Sequence, residues 1–452
     1  MDDDILIESF EGRSPSLRIA VVTETFPPEV NGVAMTLGRI VQGLIARGHL
    51  VQVVRPRQAR ESGLIRDDME EVLARGAALP NYGELRFGLP AKNRLVRLWT
   101  EKRPDVVHVV TEGPLGWSAV AAARKMHIAV TSSFHTNFHS YSSHYGLGLL
   151  KRPIEGYLRK LHNRTMATMV PTAALADSLQ RRGYQNLRVV SRGVDLQQFN
   201  PARRSESLRA QWGLAPDDIA VLHVGRIAKE KNVGLVLAGF RALQQAHPRA
   251  KLVFVGDGPA RQAIQDACPE AIFAGMRRGD DLGAHYASAD VFLFTSLTET
   301  YGNVVPEALA SGLAVVAFAY GAALELIQTG VNGVLVRGDQ DPDFSQAVRT
   351  LALDPAAMAH IRGAAARSVA HLAWDRVYDN FVAVLQQALV ANGHSFTASA
   401  QPFVALSQPH AYVPAPSSPG YRCPGLRPGE SPAVPRPRWW NHVETSPSPA
   451  PC

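Results

Sequence analysis

The sequence predicts an α/β protein made of two doubly wound domains with parallel sheets. Short apolar segments rich in β-branched residues alternate with helical patterns along most of the chain, and glycine-containing turns join them. The alternation stops at a polar stretch, residues 200–207, and starts again at Ala220. A chain of 452 residues is also longer than one typical domain. We therefore expect two successive Rossmann-like domains.

The first domain is predicted over residues 17–198. An apolar strand at 18–23 is followed by Asn31-Gly32, a helix over about 33–47, and a second strand at 50–54. A strand–helix–strand unit of this length needs a crossover connection, so the two strands should be parallel. The same alternation continues with strands at 105–110, 128–132 and 187–190, and helices at 116–126, 151–166 and 172–182.

The second domain is predicted over residues 199–364, with a helix at 232–246. Its strands are expected at 220–224, 251–255, 271–274, 291–294, 314–318 and 333–336. An amphipathic helix is predicted over 365–391, because Leu372, Val377, Phe381 and Leu385 recur near helical spacing.

The two ends of the chain differ from this pattern. Residues 1–16 are predicted to be a flexible leader. Residues 401–452 contain thirteen prolines together with Ser and Gly, and they show no periodic apolar pattern. Such a composition cannot bury enough apolar surface to offset chain entropy, so we expect a disordered tail over 396–452.

Composition narrows the class of protein. The start of the chain is acidic, and no apolar run is long enough to span a membrane, so we expect a cytoplasmic protein. Cys268, Cys423 and Cys452 form no spaced set, which argues against a disulfide framework and a thiolate metal site. The net charge is +7, with basic clusters over 92–103 and 151–164. These clusters fit solvated helix faces or contact with the anionic inner face of a membrane. Nucleic acid is disfavoured because aromatic and basic residues do not interleave.

Four loops follow predicted strands and carry chemistry, and ligands of doubly wound sheets bind beyond the carboxyl ends of the strands. The most informative is Glu299–Gly312, in which Glu299 and Glu307 flank a Gly-Asn turn that runs into a short helix. Asn303 is predicted to cap that helix and Gly312 to end it. Backbone N–H groups at its start could bind an anion, and the two carboxylates could bind hydroxyls. Hydroxyls around an anion indicate a nucleotide sugar.

The other three loops supply a turn, cations and histidines. Asn31-Gly32 lets the backbone approach a phosphate or sugar closely, although a simple turn explains it equally well. Arg226 and Lys231 follow a strand and can converge on a diphosphate leaving group, whose negative charge they would stabilise. For Lys229 and Glu230, which lie in the same segment, a solvent-exposed turn remains the alternative interpretation.

The loop that begins at Ser133 contains His135, His139 and His144. No carboxylate or cysteine lies near them in sequence, so a metal site is not expected there. His135 is nearest the strand end and should face a reacting sugar, whereas the other two are expected to be structural or on the acceptor side. Three alternating acidic residues at 339–343 are interpreted as a helix cap and not as metal ligands.

In this order the four loops resemble the retaining glycosyltransferases of family 4. The resemblance covers about residues 18–389, and its most specific element is Glu299…Glu307. Further matching segments are Val224-Gly225-Arg226 with Glu230-Lys231-Asn232, Gly256-Asp-Gly-Pro259 and Asn332-Gly333-Val-Leu-Val336. The His135 stretch, followed by Tyr145-Gly146-Leu147-Gly148, is most similar to bacterial members that transfer mannose from GDP-mannose to a glycolipid. Sulfoquinovosyl diacylglycerol synthases and other lipid glycosyltransferases are similar there too.

The resemblance implies a fold and a role for each residue. The fold would be GT-B, with the helix at 365–391 crossing back onto the first domain. Catalysis would involve His135, Glu299, Arg226 and Lys231, with no metal cofactor. The nucleotide-sugar donor would be bound by Gly32, Gly225, Arg226, Lys231, Tyr301, Gly302, Asn303, Val304 and Glu307. The acceptor would be a glycolipid or another glycan.

One departure and several alternatives remain open. Gly321-Ala322-Ala323 stands where the family usually has a further glycine, which could narrow the donor pocket and change the donor. The first alternative is a UDP-sugar-dependent transferase of the glucosyl- or sulfoquinovosyl-diacylglycerol type. Others are an inverting transferase or epimerase with a histidine base, and a sensor without activity. An NAD-dependent oxidoreductase is disfavoured, because no strand is followed by a complete G-x-G-x-x-G and its distant acid.

Overall fold

The computed structural model describes residues 16–29, 31–57, 69–79, 82–135, 151–297, 299–338 and 341–394. Most of the predicted leader, the proline-rich segment 396–452, and His139 and His144 lie outside these residues. Within them, no helix has the length and apolar character that crossing a membrane requires.

The first domain contains a parallel sheet of seven strands and a separate antiparallel hairpin. Its strands are β1 (Arg18–Val22), β2 (Leu50–Pro56), β3 (Met69–Ala74), β4 (Gly76–Leu79), β5 (Tyr82–Gly88), β6 (Val106–Val109), β7 (Ala129–Ser133), β8 (Ala167–Val170) and β9 (Leu187–Val189). The order in the sheet is β3-β2-β1-β6-β7-β8-β9, and β4 pairs with β5. The described helices are α1 (Gly32–Ala46), α2 (Lys92–Glu101), α3 (Pro114–Lys125), α4 (Lys151–His162) and α5 (Ala173–Arg181).

The second domain contains a parallel sheet of six strands in the order β12-β11-β10-β13-β14-β15. These strands are β10 (Ala220–Val224), β11 (Lys251–Val255), β12 (Ile272–Gly275), β13 (Val291–Phe294), β14 (Ala314–Phe318) and β15 (Val334–Val336). Its helices are α6 (Glu206–Gln211), α7 (Val233–Gln244), α8 (Arg261–Ala267), α9 (Gly279–Ala287), α10 (Val304–Ala310), α11 (Gly321–Leu326), α12 (Asp341–Ala352) and α13 (Pro355–Ser368). Helix α14 (Trp374–Ala391) ends the described chain, and 3₁₀ turns occupy Pro201–Arg203, Lys229–Lys231 and Ala370–Leu372.

These sheets confirm the predicted fold class of two Rossmann-like domains with parallel strands. Four strands of the second sheet, β10, β11, β13 and β14, have the predicted bounds. The sequence analysis missed β3, whose segment Met-Glu-Glu-Val-Leu-Ala has two acidic residues in the middle. Each is partnered from the neighbouring strand: Glu71 pairs with Arg55 at 3.1 Å, and Glu70 accepts from Gln52 at 3.1 Å.

The prediction of one continuous helix over 365–391 is wrong. Helix α13 ends at Ser368, the 3₁₀ turn Ala370–Leu372 follows, and α14 begins at Trp374. Ala373, which lies between the 3₁₀ turn and α14, has an extended backbone (φ −52°, ψ 137°). The chain changes direction there as it leaves the second domain. The apolar spacing at 372–385 therefore belongs to a turn and a new helix.

Helix α14 packs on the first domain. Phe381 packs edge-on against the ring of His108 in β6, with ring centroids 4.8 Å apart. Arg47, just after α1, pairs with Asp375 and Asp379 at 3.1 Å each and lies over the ring of Tyr378. This helix is thus part of the first domain's packing.

The two segments that connect the domains run side by side. Val194 N donates to Leu372 O at 2.9 Å, and Val194 forms a parallel bridge with Ala373. Gly193 faces the indole of Trp374 so closely that a Cβ there would lie 2.4 Å from the ring. This pairing holds the two connecting segments together where the chain passes between the domains.

The docking of α14 can be tested with two helical glycines. A Cβ at Gly43 in α1 would lie 2.4 Å from the Tyr378 ring, whereas a Cβ at Gly156 in α4 would meet no described atom within 4 Å. We expect Gly43→Ala to lower the free energy of unfolding by about 1–3 kcal/mol through overpacking. Gly156→Ala should raise it by about 0.5–1 kcal/mol, because alanine is the better helix former. Chemical denaturation of both variants measures this, and a Gly43→Ala protein as stable as the wild type would contradict the packing described.

Candidate active site

The loop after β13 lies against the carboxyl ends of strands in the first domain. Thr300 Oγ1 donates to the backbone carbonyl of His135 at 2.7 Å, and the hydroxyl of Tyr301 lies 3.1 Å from Ser191 Oγ. Tyr301 is buried, and burial raises the pKa of its phenol to about 12, so it is neutral. Two of the predicted site residues, His135 and Tyr301, therefore both lie where this loop contacts the first domain.

Arg192, just after β9, joins the same group. Its Nη1 donates to Asn303 Oδ1 and its Nη2 to His135 Nδ1, both at 3.3 Å. The guanidinium carbon also lies 5.7 Å from the centroid of the Tyr301 ring. The sequence analysis assigned no role to Arg192, although it follows a strand end like the residues that were singled out. Its position just after a strand was the signal by which the sequence could have identified it.

His135 is neutral and has a defined tautomer. Burial lowers the pKa of its imidazole well below 6.5, and the nearby Arg192 charge lowers it further. A guanidinium can only donate, so Nδ1 of His135 accepts from Arg192 and the ring proton is on Nε2. His135 can therefore donate one hydrogen bond from Nε2 to a ligand, and its free nitrogen is not a base.

Lys231 and Glu299 form an ion pair within the second domain. Lys231 Nζ donates to Glu299 Oε1, and both side chains are largely buried. The structure thus brings together two predicted residues from different loops, at the ends of β10 and β13. Arg226 is arranged differently: its guanidinium is 63% exposed and donates to Glu230 at 3.1 Å. The convergence of Arg226 and Lys231 on a diphosphate therefore stays a prediction.

Close backbone packing at the ends of β10 and β11 depends on glycine. Gly256 has φ +132°, and a Cβ there would lie 2.0 Å from the carbonyl oxygen of Gly225. Below this loop, His223 Nδ1 lies 3.4 Å from Leu293 O, while its Nε2 has no hydrogen-bond partner within the described residues. Burial lowers the pKa of His223 to about 4, so it is an uncharged acceptor under Gly225.

The start of α10 corrects one prediction. Asn303 occupies the N-cap position but has a helical backbone (φ −53°, ψ −29°), and its side chain makes no capping hydrogen bond. The prediction that Asn303 caps the helix is wrong, because its Oδ1 accepts from Arg192 of the other domain instead. Gly312 follows the end of α10 with φ +77°, as predicted for a helix end.

Glu307 lies in the first turn of α10, one turn beyond Asn303. The hydroxyl of Tyr286 donates to Glu307 Oε2 at 2.9 Å. Burial raises the pKa of the Glu307 carboxyl to about 7, and the hydrogen bond from Tyr286 opposes this only in part. The carboxyl therefore changes its charge near neutral pH.

Gly32 begins α1 on the facing side of the site. Asn31 Oδ1 accepts from Val33 N and Ala34 N at 3.1 and 2.9 Å, so it caps the helix. A Cβ at Gly32 would lie 3.9 Å from Arg192 Nη1. The amino terminus of α1 and the Arg192 guanidinium are thus close neighbours.

Metal ligands are not gathered here. Within the described ranges, no group of three or more His, Cys, Asp or Glu side chains is placed to hold a metal ion. The acidic residues Asp341 and Asp343 lie in the first turn of α12, where carboxylates favour the helix amino terminus.

Comparison with known proteins identifies the family. The family model described as Glycosyltransferase Family 4 matches residues 30–198, and the model described as Glycosyl transferases group 1 matches residues 218–354. A GDP-mannose-dependent alpha-mannosyltransferase of Mycobacterium tuberculosis is 33% identical over 375 residues, which cover 81% of this chain and 95% of the relative. The chain belongs to glycosyltransferase family 4. It is an enzyme that transfers hexosyl groups.

Two further comparisons place this glycosyltransferase. A sulfoquinovosyl transferase of Arabidopsis thaliana is 32% identical over 290 residues, which cover 62% of this chain and 56% of the relative. Among solved structures, sucrose-phosphate synthase from Thermosynechococcus elongatus superposes with a TM-score of 0.66 at 18% identity, covering 83% of this chain and 100% of that one. Similarity at that identity concerns the fold, and it agrees with the predicted GT-B architecture.

The titration of Glu307 gives the glycosyltransferase a testable pH dependence. The family resemblance predicts that Glu307 holds the ribose hydroxyls, and a carboxylate accepts their hydrogen bonds better than a carboxylic acid does. As pH falls through the pKa of about 7, the ionised fraction is lost, so nucleotide affinity should fall about tenfold between about pH 8 and about pH 6. Calorimetric titration at several pH values measures the effect, and Glu307→Gln should flatten it. Glu24 also has a pKa raised to about 7 by burial, so an unchanged pH dependence in Glu307→Gln would assign the titration elsewhere.

Proposed function

We propose that this glycosyltransferase transfers mannose from GDP-mannose to a hydroxyl of a glycolipid or polysaccharide, with retention of anomeric configuration. The observation that carries the proposal is the meeting of the Lys231–Glu299 ion pair with the His135 loop through Thr300. A cation, a carboxylate and a neutral imidazole donor there suit a sugar attached to a phosphate. The mannosyltransferase relative of M. tuberculosis supports the choice of donor.

The donor would lie with its diphosphate at the second domain. Arg226 and Lys231 would bind the phosphates, with the backbone of Gly225 and of residues 301–304 close to them. Glu307 would hold the ribose hydroxyls. Gly32, at the amino terminus of α1, would let the first domain approach the phosphates from the other side.

Lys231 and Glu299 can act together. An ammonium group has three donors, so Lys231 can keep its hydrogen bond to Glu299 while it donates to a phosphate oxygen. Glu299 would then be held in place to accept a hydroxyl proton of the sugar in a hydrogen bond. His135 would donate from Nε2 to another sugar hydroxyl. Each group would be oriented by a neighbour before the donor arrives, which reduces the cost of reorganisation.

The reaction would proceed on one face of the sugar. The bond between the anomeric carbon and the phosphate oxygen breaks as the acceptor hydroxyl attacks from the same side. The departing phosphate takes the proton of that hydroxyl, and the cations stabilise its negative charge. No dedicated protein base is needed, which fits a His135 whose free nitrogen carries a proton. That tautomer also disfavours an inverting transferase or epimerase that uses His135 as its base.

The alternative donor is a UDP-sugar, as in glucosyl- or sulfoquinovosyl-diacylglycerol synthesis. The departure at Gly321-Ala322-Ala323 does not favour it, because Ala322 and Ala323 are fully buried in the core of the second domain. A sensor without activity would need the binding residues, Lys231 among them, but not His135 or Glu299. The exposed basic residues of α2 and α4 would allow contact with an anionic membrane from the cytoplasmic side, where a lipid acceptor would be reached.

The role of Glu299 is tested by a pair of substitutions in the second domain. Glu299→Ala should lower transfer at least about 100-fold, since losing one aligned polar contact to the reacting group commonly costs that much. Glu270 pairs with Arg241 and precedes the edge strand β12, so it lies at the amino-terminal ends of the strands, away from the loop that follows β13. Glu270→Ala should therefore keep wild-type activity. Transfer is measured with GDP-mannose, UDP-glucose and other donors, with lipid extracts as the acceptor. The anomeric configuration of the product is assigned by NMR. Full activity in Glu299→Ala would refute the role assigned to Glu299.

Metal dependence is tested separately. If Lys231, Arg226 and backbone N–H groups neutralise the diphosphate, transfer should continue in excess chelator at an unchanged rate. Assays with chelator and with added Mg²⁺ or Mn²⁺ decide this. Activity that disappears in chelator and returns with the metal would show that the cations of the protein are not sufficient.

A further inference from the structure

Arg192 is one of the buried arginines of this chain. Its side chain follows β9 in the first domain and is 8% exposed. Burial lowers the pKa of its guanidinium, while Tyr301 and Glu299 nearby act in the opposite direction. An arginine stays protonated in proteins, so a full positive charge is held at the boundary between the domains.

The buried arginines Arg209 and Arg55 have a carboxylate partner, whereas Arg192 has none within the described residues. Arg209 pairs with Asp290 at 2.8 Å, and Arg55 pairs with Glu71 at 3.1 Å. The partners of Arg192 are the neutral groups Asn303 Oδ1 and His135 Nδ1, and its Nε has no hydrogen-bond partner within the described residues. A buried charge without a counter-ion is unfavourable for folding. Such a charge is retained where a ligand supplies the missing partner.

The surroundings of Arg192 favour an anion. The amino terminus of the 15-residue helix α1 begins at Gly32, beside Arg192 Nη1, and helix amino termini carry partial positive charge. The carboxylate that attracts Arg192, Glu299, is already paired with Lys231. The positive charge of Arg192 is therefore not balanced by the second domain.

We propose that Arg192 binds the donor phosphate that carries the sugar, from the side of the first domain. This inference rests on the proposed function, and it adds a binding residue to those predicted from the sequence. The guanidinium has five N–H donors, so it would keep its hydrogen bonds to Asn303 and His135 and bind phosphate oxygens through the remaining N–H groups, including that of Nε. A phosphate held by Arg192 on one side and Lys231 on the other would join the two domains.

Binding measurements separate the phosphate next to the sugar from the rest of the donor. Wild type, Arg192→Lys and Arg192→Gln would be titrated calorimetrically with GDP and GMP, and with UDP and UMP. We expect Arg192→Gln to lose about 10- to 100-fold in affinity for the diphosphate that the wild type binds, with little change for the monophosphate. Arg192→Lys should lose less, because it keeps the charge but not the paired N–H groups.

Stability separates a binding role from a structural one. Because the charge is buried and uncompensated, Arg192→Gln should unfold at the same or a higher temperature than the wild type in the absence of nucleotide. Arg39→Gln is the matched control, since Arg39 in α1 already pairs with Asp195 at 3.1 Å. The control should keep the wild-type affinity for the diphosphate.

Four results would overturn the inference. Equal diphosphate affinities of wild type and Arg192→Gln would refute it alone, and a loss confined to transfer onto anionic lipids would assign Arg192 to the acceptor. A lower unfolding temperature of Arg192→Gln with parallel losses for diphosphate and monophosphate would make it a structural residue. A wild-type protein that binds neither GDP nor UDP would refute the proposed function as well.

Discussion

The candidate site depends on the hydrogen bonds that hold the loop 299–303 against the first domain. Thr300 reaches the backbone of His135, Tyr301 reaches Ser191, and Asn303 reaches Arg192. These contacts come from a segment of four residues, 300–303, that follows strand β13. Because the loop is held from the facing domain, Glu299 at its start and α10 at its end have defined positions. The geometry of this loop of the second domain is therefore set partly by the first domain.

The charges in this region are arranged unequally between the two domains. On the second domain, Lys231 pairs with Glu299 and Arg226 with Glu230, while Glu307 is about half ionised at neutral pH because burial raises the pKa of its carboxyl to about 7. On the first domain, His135 is neutral, and Arg192 has no carboxylate partner within the described residues. An incoming diphosphate would thus meet two cations already paired with carboxylates and one that is not. The difference suggests that the first domain contributes more to electrostatic attraction than its residue types indicate.

The sequence predicted the parts of this protein that depend on local pattern. Parallel strands buried on both faces are continuous apolar runs, so β10, β11, β13 and β14 were predicted with their observed bounds. Strand β3 was missed because its two glutamates are paired with Arg55 and Gln52, which lie on the neighbouring strand β2. No local rule shows such a partner.

The same distinction holds within the site. Lys231 and Glu299 were predicted as separate contributions, and their direct pairing depends on the neighbouring positions of β10 and β13 in the sheet. Asn303 has every local property of a helix cap, but its oxygen is taken by Arg192 from a segment more than one hundred residues earlier. Arg192 itself had the same position after a strand as the residues that were chosen. What the sequence lacked was the information that it is buried without a counter-ion.

The contacts across the cleft also indicate how it can open. Each hydrogen bond from the 299–303 loop is worth about 0.5–1.5 kcal/mol net, so breaking them costs little compared with unpacking a core. The connecting segments, by contrast, are fixed to each other through Val194 and Leu372. Opening would therefore occur by rotation about the paired segments, with the 299–303 contacts released. A donor phosphate that bridges Arg192 and Lys231 would add charged hydrogen bonds, which are about twice as strong, to those contacts. The closed arrangement would then be favoured when the donor is bound, at the moment when water must be excluded from the reacting sugar.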